Sequence, residues 1–252
     1  MSNGSLYTHI QNKIATIEFG HPASNSFPSE LLSRLTASIN ELSSNQDVLV
    51  IILKSEQEKA FCAGASFDEL VAITNFEEGK QFFLGFANVI NAMRNCSKLI
   101  IGRVQGKAVG GGVGLAAACD YCLATKQADI KLSELSIGIG PFVIEPAVTR
   151  KIGLNALSEL ALDATNWKNA YWAKEKGLYA KVLDTVEEMD VEVDFLANKL
   201  SNYNPEALKE MKKTLWEGTE YWTILLEEKA EISGKLVLSD FTKKALQKFK
   251  KC

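Results

Sequence analysis

The chain has 252 residues, of which 46% are hydrophobic and 23% charged, and its formal net charge is −3. This length and hydrophobic content predict one large globular domain, or one domain with a helical appendage. The charge lacks the basic footprint of a nucleic-acid-binding protein. No apolar run approaches the roughly 18–20 residues of a membrane span, and the first residues do not resemble a signal peptide. We therefore expect a cytoplasmic protein without a membrane or nucleic-acid partner.

Strands and helices alternate through the first half of the chain. Continuous apolar runs, such as the one over 48–53, are typical of strands buried on both faces of a largely parallel sheet. Their alternation with helical patterns predicts an α/β fold. The predicted elements are strands at 6–10, 13–19, 48–53 and 99–104, helices around 31–42 and 76–96, and a strand–turn unit at 120–133.

The pattern becomes helical from about residue 154, apart from a short predicted strand at 180–183. Three amphipathic helices are predicted in the last part of the chain, over 204–217, 219–232 and 238–250. We divide the chain into a core, 1–200, and a C-terminal helical region, 201–252. Packing of this region on a partner subunit and packing on its own core are both consistent with its aromatic content.

Histidine and cysteine chemistry is disfavoured. The chain has two histidines, His9 and His21, which argues against Ser-His-Asp or Cys-His catalysis. Five cysteines fit a reducing compartment better than a disulfide framework. Cys119 and Cys122 have no second pair or histidine nearby, so we predict no metal site. The chemistry is expected to depend on carboxylates and backbone amides.

A glycine cluster, Gly110–Gly114, follows the predicted strand 99–104 and opens a run of helix-forming residues. At such a junction backbone amides lack partners and the helix dipole adds positive charge, which suits a phosphate or a developing oxyanion. A second junction, Ala63-Gly64-Ala65, follows the strand 48–53. Side-by-side strands would bring both sets of amides together, and two convergent amides form an oxyanion hole.

Four segments stand in a particular order and spacing: Pro22-Ala23-Ser24-Asn25-Ser26, Phe61-Cys62-Ala63-Gly64-Ala65, Ala108-Val109-Gly110-Gly111-Gly112 and Cys119-Asp120. Through them, residues 6–200 resemble the crotonase (enoyl-CoA hydratase/isomerase) superfamily. The resemblance implies a spiral of ββα units, an acyl-CoA substrate and a role in fatty acid metabolism. It also implies a homotrimer or dimer of trimers built through the C-terminal helices. Coenzyme A is then part of the substrate, and no separate cofactor is expected.

The resemblance also implies the roles of individual residues. The amides of Ala65 and Gly111 would hold the thioester oxygen. Glu134 matches the catalytic glutamate of the family, and an apolar pocket would raise its pKa toward neutrality, as proton transfer requires. The residues expected to contact substrate are Ser24, Asn25, Ala63, Phe67, Gly110, Gly114 and Phe142.

One position departs from the hydratase pattern. Gly114 stands where typical hydratases of the family carry a second glutamate. Two carboxylates hold a water between them, whereas one carboxylate can shuttle a proton between two carbons of an enolate. The substitution favours double-bond isomerisation without excluding hydration. Glu145 is predicted either as an acid in the first turn of a helix or as a second active-site carboxylate.

Other interpretations stay open at this point. Thioester hydrolysis, dehalogenation and decarboxylation are compatible with the same fold. A non-catalytic acyl-CoA-binding or scaffold protein is a further alternative, since loss of the second glutamate would fit loss of activity. A dinucleotide loop is disfavoured because Leu115 occupies the last glycine position of G-x-G-x-x-G. The acyl group is not specified by these motifs.

Overall fold

The computed structural model describes residues 3–57 and 59–249, without the side chain of Phe249. The strands of this part of the chain are β1 (Ser5–Gln11), β2 (Ile14–Gly20), β3 (Val50–Ser55), β4 (Ala60–Cys62), β5 (Leu99–Val104), β6 (Lys107–Val109), β7 (Tyr121–Thr125), β8 (Ile130–Lys131) and β9 (Lys181–Leu183). Its helices are α1 (Ser29–Ser44), α2 (Phe67–Ala72), α3 (Phe76–Asn95), α4 (Gly111–Ala118), α5 (Glu145–Leu162), α6 (Ala170–Glu175), α7 (Val186–Ser201), α8 (Pro205–Leu215), α9 (Trp222–Leu236) and α10 (Asp240–Phe249). A 3₁₀ helix spans Glu134–Ile137.

The strands form two sheets. The larger has six strands in the order β1-β2-β3-β5-β7-β9, and the smaller has three in the order β4-β6-β8. Only β1 and β2 pair antiparallel; the other strand pairs in the described residues are parallel. Three repeats, β3-β4, β5-β6 and β7-β8, each place their first strand in the large sheet and their second in the small sheet, and a helix follows. The first pair, β1 and β2, lies wholly in the large sheet and precedes α1. The predicted α/β spiral of ββα units is confirmed.

Side-chain alternation along the large sheet explains its two packed faces. Val50 and Ile52 pack with α7 on one side, through a cluster that includes Val193. Ile51 and Leu53 point into the main core, which holds the buried face of α1. A strand covered on both faces must be apolar throughout, which is why β3 appears in the sequence as an uninterrupted apolar run.

The C-terminal helices pack on the core of their own chain. Trp216, Trp222 and Leu226 are buried in the main hydrophobic cluster. Helices α3 and α9 approach closely, since a Cβ atom added to Gly79 would lie 2.9 Å from the carbonyl oxygen of Gly234. The predicted oligomerisation of this region stays a prediction, and its residues 250–252 lie outside the described chain.

Most predicted elements occur within a few residues of their expected bounds. The onset of the helical half differs most: α5 begins at Glu145 rather than near residue 154, and Gly153 interrupts it with a φ of +77°. The helical pattern of the sequence therefore indicated only the part of α5 that follows Gly153. None of the described helices has the length and apolar content needed to cross a membrane.

Candidate active site

Two backbone amides converge where the small sheet ends. Ala65 follows β4 and Gly111 follows β6, and these two strands are parallel neighbours. A Cβ atom added to Gly64 would lie 3.5 Å from the amide nitrogen of Gly111, so the two loops are in contact. Among the described residues, neither the Ala65 nor the Gly111 amide donates a backbone hydrogen bond. Both residues line the same cavity.

The strands that bring these amides together differ from the prediction. The neighbouring strands 48–53 and 99–104 were expected to end at the amides. They correspond to β3 and β5, which are indeed neighbours in the large sheet. However, short strands of the small sheet, β4 and β6, follow them and end at Cys62 and Val109, shortly before the amides. These segments of three residues are too short to show a periodic pattern.

Glycine is required at both junctions. Gly64 has a φ of +89° and Gly110 a φ of +52°, which are backbone conformations that other residues rarely adopt. Gly111 begins α4, so its amide has no intrahelical partner and the positive end of the helix dipole lies at the cavity. The free backbone amide and the helix dipole together favour the binding of an oxygen atom that becomes negatively charged during a reaction.

The carboxyl group of Glu134 lies beside this pair. A Cβ atom added to Gly110 would lie 2.6 Å from Glu134 Oε1. The residue as a whole is half-buried, but its Oε2 atom is shielded from solvent and has no hydrogen-bond partner in the described residues. Desolvation raises the pKa of this carboxyl to about 7. Glu134 can therefore both accept and donate a proton near neutral pH.

The wall of the cavity around this acid is mostly apolar. Its volume is about 190 Å³. Glu134 is the one titratable side chain among the described lining residues, and Ser133 and Ser233 are the other polar side chains. The large apolar residues of its wall are Phe67, Leu70, Phe82, Phe83, Phe86, Ile137, Ile139, Pro141, Val143 and Ile144.

The position of the missing second glutamate is closed by packing. A side chain at Gly114 would overlap the side chain of Ile144, which itself lines the cavity. Glu145, the other carboxylate considered, is the first residue of α5. Its carboxylate accepts a hydrogen bond of 2.7 Å from the hydroxyl of Thr149 and lies 3.4 Å from the ammonium of Lys229. It is not among the lining residues, so the structure favours its interpretation as a first-turn acid.

The residues expected to contact substrate divide into two groups. Ala63, Phe67 and Gly110 line the cavity. Gly114 is buried behind Ile144, and Phe142 is half-buried and is not among the lining residues, with the ammonium of Lys229 6.0 Å from the centre of its ring.

The loop of Ser24 and Asn25 lies next to the site without lining it. The carbonyl of Ser24 accepts a 3.1 Å hydrogen bond from the amide of Ala63. The side chain of Asn25 is fully buried and donates to the carbonyls of Glu56 and Ala60. Asn25 thus joins this loop to β4, and contact of the loop with substrate stays a prediction.

Several lining residues had no motif to indicate them. Phe82, Phe83 and Phe86 lie on α3, within a segment whose place at the pocket could not be assigned from sequence. Ser233 comes from α9, far along the chain from Glu134. The small residues Gly79 and Gly234 were the available signal, because glycines inside two helices mark a close approach of their backbones.

Comparison with known proteins decides the family. The sequence model described as Enoyl-CoA hydratase/isomerase matches residues 9–250. The chain belongs to the enoyl-CoA hydratase/isomerase family. The predicted resemblance and the predicted enzyme class are therefore confirmed at the level of this family.

Both reactions in the family's name occur among its relatives. A short-chain-enoyl-CoA hydratase of Clostridium acetobutylicum is 31% identical over 222 residues, which cover 87% of this chain and 84% of that protein. A peroxisomal Delta(3,5)-Delta(2,4)-dienoyl-CoA isomerase of Arabidopsis thaliana is 28% identical over 197 residues, which cover 72% of this chain and 69% of that protein.

Solved structures share the fold of this enoyl-CoA hydratase/isomerase family member. The crystal structure of an enoyl-CoA hydratase from Bacillus halodurans superposes with a TM-score of 0.90, covering 96% of this chain and 99% of that one. The sequence identity between the two is 22%, so this likeness concerns the fold.

Proposed function

We propose that this protein isomerises the double bond of a short acyl-CoA thioester, converting a 3-enoyl-CoA to a 2-enoyl-CoA. The observation that carries the proposal is the single, shielded carboxyl of Glu134 beside two convergent amides in a mostly apolar cavity. The family supplies the class of substrate, an acyl-CoA thioester.

The proposed reaction is a proton transfer in two steps. The Glu134 carboxylate removes a proton from C2 of the 3-enoyl thioester, and the electron pair moves into the carbonyl as a dienolate. The amides of Ala65 and Gly111 stabilise the negative oxygen, a contribution of roughly 3–4 kcal/mol for one such donor. The Glu134 carboxyl then returns the proton to C4, and the double bond comes to lie between C2 and C3.

The apolar wall near Glu134 favours isomerisation over hydration. Hydration needs a water held and activated near C3 of the substrate. The place from which a second carboxylate would act is occupied by the Gly114–Ile144 contact, and Ile144 presents an apolar wall there. Relatives named as hydratases make hydration the second candidate.

The size of the cavity limits the acyl group. A cavity of about 150 Å³ binds benzene, which has six carbons. The cavity of about 190 Å³ therefore accommodates an acyl group of about six to eight heavy atoms. We propose that substrates with straight chains much longer than this are turned over poorly.

A matched pair of variants tests the assignment of Glu134. We expect Glu134→Gln to lower kcat for conversion of 3-hexenoyl-CoA to 2-hexenoyl-CoA by about 10²–10⁴-fold, because the amide cannot transfer the proton. Glu145→Gln is the control, since Glu145 lies outside the cavity lining. Chromatography separates both enoyl isomers and any 3-hydroxyacyl-CoA. Full activity of Glu134→Gln would contradict the proposal, and so would wild-type protein that leaves 3-hexenoyl-CoA unchanged but hydrates 2-hexenoyl-CoA to 3-hydroxyhexanoyl-CoA.

A further inference from the structure

Ser233 lines the cavity, and its hydroxyl is a buried polar group without a partner in the described residues. Ser233 is 1% exposed and lines the cavity. Its Oγ atom has no hydrogen-bond partner in the described part of the chain. Three buried side-chain atoms in this part of the chain share that property, and two of them, Glu134 Oε2 and Ser233 Oγ, belong to residues of this one cavity.

Helix packing alone does not account for a serine at this position. The close approach of α3 and α9 at Gly79 and Gly234 calls for small residues, and alanine would serve equally well. A buried hydroxyl without a partner costs about 1–3 kcal/mol. Serine in a helix usually avoids that cost by donating to the carbonyl four residues earlier, which here belongs to Lys229. Ser233 makes no such bond.

The surroundings of Ser233 restrict the kind of group it would bind. The described cavity lining contains no lysine, arginine or histidine. Lys229, one turn earlier on α9, is paired with Glu145 outside the lining. A charged substituent would be buried here without a counter-ion, at a large cost in free energy. A neutral oxygen of a hydroxyl or a carbonyl group would instead form a hydrogen bond with the serine hydroxyl without burying a charge.

We propose that Ser233 is a specificity-determining residue that hydrogen-bonds a neutral oxygen substituent on the acyl chain, so that the preferred substrate is an oxygen-bearing short acyl-CoA. This inference rests on the proposed function, because it concerns the acyl group that the same cavity binds. The apolar walls hold the hydrocarbon part, Glu134 acts at the carbons next to the thioester, and Ser233 selects the substituent.

Matched substrates and matched serine variants test this inference. The kcat/KM values of 3-hexenoyl-CoA and of its 5-hydroxy and 6-hydroxy derivatives are measured with wild-type protein and with Ser233→Ala. We expect wild-type protein to prefer at least one hydroxylated substrate, and Ser233→Ala to reduce that preference by about three- to tenfold, the value of one hydrogen bond. Ser201→Ala is the control, because Ser201 is buried outside the cavity and donates a 3.0 Å hydrogen bond to the carbonyl of Asn198.

Two further readouts separate the outcomes. Ser233→Ala should not lower Tm, since it removes an unpartnered hydroxyl, whereas Ser201→Ala removes a hydrogen bond. The same comparison of binding, made by calorimetry in the Glu134→Gln background, should show the same loss of preference without turnover. If wild-type protein converts 3-hexenoyl-CoA but Ser233→Ala leaves the preference unchanged, the inference is wrong and the proposed function stands. If no enoyl-CoA is converted, the proposed function fails, and the binding comparison alone decides on Ser233.

Discussion

The side chain of Glu134 combines two conditions that general acid–base catalysis requires. Its carboxyl is near the amides that would hold the developing oxyanion, and its pKa is raised to about 7 by desolvation. An ordinary glutamate, with a pKa of 4.5, would be a weaker base and would remain ionised at neutral pH. The apolar wall around Glu134 therefore tunes the acid as well as shaping the pocket.

This raised pKa predicts a specific pH dependence. The carboxylate is the form that removes the proton from C2, and it is lost as pH falls through about 7. We expect log kcat/KM for 3-hexenoyl-CoA to rise with unit slope below about pH 6 and to level off above about pH 8. A pH profile of initial rates checks this. A half-maximal rate near pH 4.5 would show that the carboxyl is solvated as an ordinary glutamate is.

Gly110 lies between the backbone of the glycine cluster and the carboxyl group of Glu134. Its φ of +52° is unfavourable for alanine, and a methyl group would lie 2.6 Å from Glu134 Oε1. We expect Gly110→Ala to lower kcat at least 100-fold by displacing the carboxyl, with circular dichroism showing a folded protein. Gly218→Ala is the control, because Gly218 also has a positive φ, +79°, but nothing lies within 4 Å of its added Cβ atom. Equal activities of the two variants would be inconsistent with this placement of Glu134.

Among the elements, α8 is attached to the core by a buried ion pair. The ammonium of Lys212 lies 2.7 Å from the carboxylate of Asp120, and both side chains are 3% exposed. The same carboxylate accepts hydrogen bonds from the indole of Trp216 and from the backbone amide of Ile100 on β5. Asp120 thus connects the start of β7 to the C-terminal helices, which complete the cavity through α9.

Removing one partner of this pair should be costly. We expect Lys212→Met to lower the free energy of unfolding by about 3–5 kcal/mol, because it leaves the Asp120 carboxylate buried without its counter-charge. The neighbouring Lys213 serves as the control, because its side chain is 61% exposed and pairs with an exposed Glu210. Lys213→Met should change the free energy of unfolding by at most about 1 kcal/mol. Urea unfolding measures both. Similar effects of the two substitutions would contradict the structural role of the pair.

For the molecule as a whole, the large sheet was predictable and the small sheet was not. A continuous apolar run such as Val50–Leu53 indicates a buried parallel strand from its composition. The strands of the small sheet have two or three residues and follow turns, so neither length nor alternation indicates them. The strands of the large sheet could be predicted from their apolar runs, and the way in which the small sheet closes on it could not.

The residues of the candidate site also divide into those that the sequence indicated and those that it did not. The glycine junctions and Glu134 could be located because special backbone conformations and a buried acid require particular residues in short motifs. Ile144 and Ser233 could not be assigned, because their roles depend on which helices come into contact after folding. Local sequence thus indicates the proposed reacting groups, and tertiary packing determines the shape and polarity of the cavity beside them.

The account as a whole depends on Glu134 acting alone, without a bound water as second reactant. Its most direct test is incubation of 3-hexenoyl-CoA with the wild-type protein in deuterated water, followed by mass spectrometry of the acyl-CoA product. We expect the double bond to move from C3 to C2, with a mass change limited to hydrogen–deuterium exchange. No conversion of 3-hexenoyl-CoA, together with a mass gain of about 18–20 units in 2-hexenoyl-CoA incubated in the same way, the addition of water to its double bond, would contradict the account and identify the enzyme as a hydratase.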